Sequence, residues 1–304
     1  MNPTTEPRRT MLIRAQMLCL ALLAAGTIDA QVLDTRSFKM MELAPATEYP
    51  SVCSTEVRCA QKDFKGYFWA GSIAAPVALA RTSEFLSWQA LEDLVRTVAP
   101  ALENDRIGVK LHYGLSVSGA DYNIELAAEV VKIDPRRDPL YYDVSTLEAK
   151  VHPIGPTGVF DPEQIKSAWE DAEQKRYLER VFVMRNRGGE LDGLVKESDH
   201  LAYLLKWEDL VALHGNNEGS THLNIHCIAA PVIRAPGIED DWHHDLLVIS
   251  ANHQGVERLT DTRAPGALPY LDKAADLGSP CPPSCVLARF YRYGLAPRTG
   301  CKCP

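Results

Sequence analysis

Two runs of strict alternation, "RIGVKLHYGL" (106–115) and "DYNIELAAEVVKID" (121–134), flank the short segment "SVSGA". Apolar side chains fall at Ile107, Val109, Leu111 and Tyr113, and then at Tyr122, Ile124, Leu126, Ala128 and Val130. That repeat of two belongs to a strand and not to a helix. The few residues between the runs leave no room for a crossover, so the strands must be antiparallel neighbours joined by a hairpin turn. Whatever else the chain does, it is built on antiparallel sheet. The intervening Arg106, Gly108, Lys110 and His112 predict a second face turned to solvent. "LYYDVSTLEAKVHP" (140–153) adds one or two strands to the same meander.

Helical spacing appears three times. In "TSEFLSWQALEDLVRTVAPAL" (82–102), Ser83 is placed to cap a helix with Phe85, Trp88, Leu91, Val95 and Val98 along one face. Asp161, Pro162 and Gln164 read as a capping box ahead of a helix running to about Glu179, after which "RVFVMR" turns strand-like. "SDHLAYLLKWEDLVALHG" (198–215) aligns Leu201, Leu204, Leu205 and Ala212, with Gly215 at its C-terminal stop. Further strands are expected at "THLNIHCIAAPVI" (221–233), "HDLLVISA" (244–251) and "VLARFYRY" (286–293). Strands and helices arrive in blocks, which argues an α+β fold: antiparallel sheets, about three amphipathic helices and a disulfide-stapled C-terminus. The glycine-bearing "NRGGELDG" (186–193) is the best internal boundary. The expected division is a signal peptide at 1–30, an irregular N-terminal arm at 31–66, an α+β meander region at 67–187 and a second α+β region at 188–304 packed with the first as one unit.

The compartment is written at the N-terminus. Arg8, Arg9 and Arg14 precede the apolar run "MLCLALLAAGTI" (17–28), and Ala30 offers a cleavage point. A bilayer span takes about 20 apolar residues, so the run fits a cleaved leader, and no integral membrane segment is expected after cleavage. A periplasmic or secreted location follows. The chain carries a formal net charge of −8 and no basic run longer than two residues, which sets nucleic acid aside as a partner. Of the eight cysteines, Cys19 leaves with the leader. Export makes disulfides the default for Cys53 with Cys59 and for the array Cys281, Cys285, Cys301 and Cys303, whose pairing stays open among three connectivities. A bond between Cys301 and Cys303 would close a strained ring, which favours crosses between the two clusters. A zinc knot is the rival for that array. Cys227 is left over, on the apolar side of its strand, where a free thiol behaves as a small hydrophobe.

Chemistry concentrates in the polar residues from 222 to 245. His222, Asn224 and His226 share one strand face and Leu223, Ile225 and Cys227 the other. Four strand residues separate the two histidines by roughly 13 Å, too far for one metal ion. His243 and Asp245 emerge together, with His244 on the opposite side, and a hairpin across "RAPGIEDD" would carry His226 or His222 toward them. His226, His243 and Asp245 with an open position would suit a divalent metal such as zinc that activates water. Glu239, Asp240 and Asp241 offer oxygens to calcium but lack a spaced loop signature. His253 joins the group only if the chain folds back. A solvated polar face accounts for the same residues without chemistry. "GLSVSG" (114–119) nearly matches a serine elbow, yet its flanks read strand–turn–strand. "NRGGELDG" lacks the lysine of a phosphate loop, and the aromatic run near Trp69 reads as core. With no whole catalytic signature, the expected function is an exported soluble binding or interaction protein of the bacterial envelope, its partner an unknown protein or small-molecule ligand. The alternative is a metal-dependent hydrolase using the His/Asp site.

Overall fold

The computed structural model describes residues 54–135, 142–184, 191–194, 201–215, 219–235, 238–257, 274–275 and 278–281. They form a mixed α/β body with two sheets and four helices. The predicted hairpin is its centre: β4 (Ile107–Ser118) pairs with β5 (Asp121–Pro135) antiparallel in unbroken register from Ile107↔Lys132 to Ser118↔Asp121. The two-residue loop between them opens with Gly119 at φ 64°, the conformation that such a turn demands of its first position.

Around this hairpin grows an eleven-stranded sheet. Its main path contains β1 (Phe68–Ser72), β2 (Ala75–Arg81), β9 (Val181–Met184), β10 (Leu191–Leu194), β11 (Ala202–Lys206) and β15 (Gly278–Cys281) beside the hairpin. The meander strands β6 (Tyr142–Thr146) and β7 (Lys150–Pro153) both pair with β5, and β8 (Gln164–Ile165) pairs with β7. A second sheet of four strands has the order β14 (Ala274–Ala275), β13 (Ile238–Ala251), β12 (His222–Ala235), β3 (Ser83–Ser87). The main core lies between the sheets: Val109, Leu111, Tyr113, Ile124, Leu126 and Val130 from one, Leu223, Ile225, Cys227, Leu246 and Val248 from the other. Each such side chain is worth about 1.5–3 kcal/mol when buried.

The polar side of the hairpin does not face solvent as alternation predicted. Gly108 packs under Leu204, Val131 and Ile133, and Gly114 lies so close to Trp169 that a Cβ there would stand 2.5 Å from the indole. Gly108 makes room for side chains of the adjoining strands, and Gly114 lets a helix layer seat on the sheet. That layer includes the helix α3 (166–180), which widens to a π-helical turn over Glu170–Gln174.

Other expectations are corrected at the elements themselves. The stretch 31–66 was expected to be irregular, yet Ser54–Tyr67 forms α1, whose Val57 and Ala60 cover Ile228, Leu247 and Ile249 on the outer face of the four-stranded sheet. Ser83 does not cap a helix. It begins strand β3, and α2 runs only over Trp88–Val98, capped by Ser87, whose Oγ accepts from Ala90 N at 3.4 Å. The box at Asp161–Gln164 gives way to strand β8, and the third helical pattern begins as strand β11 before α4 (Trp207–Gly215). Past "NRGGELDG", β10 pairs back onto β9 within the large sheet. The described residues all fall in one compact unit.

Candidate functional site

Strand β12 carries the residues singled out in the sequence, and its two faces separate as alternation requires. Leu223, Ile225 and Cys227 enter the core. Cys227 is buried and free, and burial drives its thiol pKa far up, so it is chemically inert. On the other face, His222 stacks on Phe85 with ring centroids 4.3 Å apart. His226 lies two strand steps further along, in a different environment.

Ser83 of β3 stands directly opposite His226 in the ladder, and its Oγ is 2.6 Å from His226 Nδ1. The other ring nitrogen, Nε2, meets the Glu257 carboxylate. Asn224 Nδ2 donates to the same carboxylate oxygen at 2.9 Å and to Gly255 O at 3.1 Å. Burial works to raise the Glu257 pKa, but the hydrogen bonds from His226 and Asn224 overcome it and hold the carboxyl below its ordinary range. Glu257 reaches this place because the chain turns back after β13: Asn252 Oδ1 accepts from Gln254 N and Val256 N, Gly255 adopts φ 72°, and Glu257 bridges to Ala251.

The antiparallel ladder of β12 with β13 forms in the predicted sense. Its register places His226 opposite Leu247, Asp245 opposite Ile228 and His243 opposite Ala230. His243 is therefore offset from His226 by four residues, about 13 Å along the strands, while Asp245 is its diagonal neighbour. The side chains of His243 and Asp245 lie outside the described residues, as do Glu239, Asp240 and Asp241. Among the described residues no group of three His, Cys, Asp or Glu side chains gathers to hold a metal ion.

His244 takes the opposite side. It is 1% exposed, stacked on Tyr113 at 4.4 Å, with its Nδ1 against the Tyr177 hydroxyl and its carbonyl accepting from Tyr203 Oη at 2.7 Å. A second buried polar cluster occupies the covered face of the hairpin. His112 Nε2 lies 2.7 Å from Glu129, Lys166 Nζ donates to it at 3.0 Å, and Thr146 Oγ1 donates at 3.0 Å. Burial raises the Glu129 pKa, but these partners bring it down to about 2, while burial lowers that of His112. The set reads as a neutral imidazole donating to a carboxylate beside an ammonium, a satisfied structural network.

A groove of about 440 Å³ lies between the hairpin tip and α3, lined by Val117, Tyr122, Asp171, Lys175, Arg176 and Arg180 among others. Val117 in this groove is 48% exposed; Ile73 and Val77, on the β1–β2 hairpin that pairs with β5, are 61% and 39% exposed, and nearly all of β2 faces outward.

Ser83, Glu257 and the groove were all missed in the sequence. "SEFLS" alternates as a strand does, with Glu84 and Leu86 inward, and reading it at period two would have set Ser83 on a ladder. "NHQG" is a turn signal that anticipates the fold-back. Comparison with family models, curated proteins and solved structures gives no match to this chain.

Proposed function

We propose that the chain is an exported binding protein of the bacterial envelope, periplasmic or secreted, that docks a protein partner on the surface formed by β2, the β4–β5 hairpin tip and α3. The observation that carries this reading is exposed Val117 in a groove rimmed by Lys175, Arg176, Arg180, Asp171 and Glu179, with exposed Ile73 and Val77 on the β1–β2 hairpin that pairs with β5. An apolar centre with a mixed-charge rim is the anatomy of a protein interface, and a contiguous apolar surface exposed to water marks an interaction site. The leader at 17–28 and a disulfide on Cys59 support the location. The C-terminal array Cys281, Cys285, Cys301 and Cys303 belongs to the same proposal as a pair of disulfide staples. Among the described residues no helix is long and apolar enough to cross a membrane.

A photo-crosslinking residue at Val117, with a control at exposed Arg96 on α2, tests the proposal in intact cells. A discrete adduct from position 117, absent from 96 and lost when Val77→Asp is added, is the expected result. Both apolar sites are exposed, so Val77→Asp changes stability by no more than about 0.5 kcal/mol. Equal crosslinking from both positions, or none from 117, overturns it. An adduct of twice the chain's own mass would identify the partner as a second copy.

A further inference from the structure

Glu257 is ionised, and a carboxylate can only accept hydrogen bonds. With the imidazole neutral and its proton on Nε2 toward that carboxylate, Nδ1 is the acceptor. In that tautomer Nδ1, 2.6 Å from Ser83 Oγ, accepts the serine proton. The chain carboxylate–imidazole–hydroxyl is thus polarised in one sense, from acid to base to nucleophile. This is the logic by which a serine is activated, with the roles of the two ring nitrogens exchanged. The parts are held rigidly: Ser83 and His226 are register partners in the β3–β12 ladder, and Asn224 fixes Glu257 from the same strand face. Ser83 is half-buried on the outer side of the sheet, next to Phe85 and away from the interior.

We propose that Ser83 is an acyl-accepting nucleophile with His226 as its base and Glu257 as the positioning residue, acting on carboxylic esters presented at the β3 edge of the four-stranded sheet. Ser83 Oγ attacks the ester carbonyl carbon while its proton passes to His226 Nδ1. The tetrahedral adduct collapses with cleavage of the carbon–alkoxide bond, and the alkoxide takes the proton from Nδ1 and leaves as alcohol. Water then attacks the acyl-Ser83 carbonyl, giving its proton to Nδ1, from which Ser83 recovers it as the acid departs. The nucleophile is independent of the docking surface, so Val117→Asp leaves it unchanged.

The test is labelling of the full mature chain with a small alkyl fluorophosphonate, in which Ser83 Oγ displaces fluoride, followed by peptide mass mapping. One phosphonyl group on the Ser83 peptide is expected, absent in Ser83→Ala. Glu257→Gln keeps a hydrogen-bonding side chain but lets the tautomer reverse, and is expected to slow labelling at least tenfold at unchanged melting temperature, with Glu257→Asp recovering part of the rate. A downfield proton resonance from the His226–Glu257 bond, lost in Glu257→Gln, reports the same arrangement without activity. Labelling of Ser83 no faster than that of the exposed Ser72 and Ser118, or a rate untouched by Glu257→Gln, overturns the proposal and leaves a structural hydrogen-bond chain. Should His226→Gln fail to fold, the Glu257 pair still decides the outcome.

Discussion

Glu84 and Glu129 are buried carboxylates of the same chemistry that meet opposite fates. Burial pushes Glu84 up to about 8, with Arg81 opposing and Glu125 and Asp161 adding to the rise. Its nearest cation, Arg81 Nη2, is 3.3 Å away and divided with Glu125 at 3.5 Å. Glu129 instead has His112, Lys166 and Thr146 on its two oxygens and falls to about 2. The linkage signs are opposite. The native state holds the Glu84 proton more tightly than the unfolded chain, so its contribution is full below about pH 4.5 and is lost as pH rises through about 8. Glu129 stabilises above about pH 4.5, and that contribution is lost as pH falls toward about 2. The parent's melting temperature should decline between about pH 4.5 and 8, and Glu84→Gln should lose that decline. Glu129→Ala strands His112 and Lys166 and should cost about 3–5 kcal/mol at neutral pH. His226 has both ring nitrogens engaged and lies about 13 Å along the ladder from the level of His243. Purified protein should therefore contain no stoichiometric metal after dialysis. Zinc at one equivalent, lost in a His243→Ala and Asp245→Ala double variant, would restore the metal-hydrolase alternative.

At the scale of elements, the same misreading occurs three times, and its cause is physical. Before α2, α3 and α4 the chain runs as a strand, β3, β8 and β11, that turns directly into a helix. In the third pattern a strand buried on both faces, as all five residues of β11 are, has no period to distinguish it from a helix, whereas β3 alternates and β8 is only two exposed residues. Tertiary pairing decided: β3 is claimed by β12, and β11 is held between β4 and β15. The boundary of α2 is testable at its cap. Ser87→Ala should cost about 1 kcal/mol and Ser87→Gly only a few tenths, since an N-cap tolerates glycine. Gly114→Ala probes the covered face of the hairpin. Its Cβ would collide with the Trp169 indole, and overpacking of this kind costs about 1–3 kcal/mol, read as a lower denaturant midpoint at unchanged slope.

At the scale of the whole molecule, the two sheets and the helices between and outside them bury one principal core, with Cys227 inside it. Its thiol should resist alkylation in the native state and react only on unfolding, while non-reducing peptide mapping should recover Cys59 in a disulfide and the C-terminal cysteines in two more. Free thiols at the C-terminus would remove the staples from the proposal. What the sequence determined by itself is local: the β4–β5 hairpin, the two faces of β12, the inert Cys227 and the split of His243 from His244. Alternation is a property of neighbouring residues and needs no fold to be read. What only the tertiary structure decided is which distant groups meet. Ser83 lies 143 residues from His226, and Glu257 lies 31 from it. No spacing rule joins them. They meet because β3 adds to the free edge of β12 and the chain folds back after β13, two events driven by burying the opposite faces of those strands in the shared core.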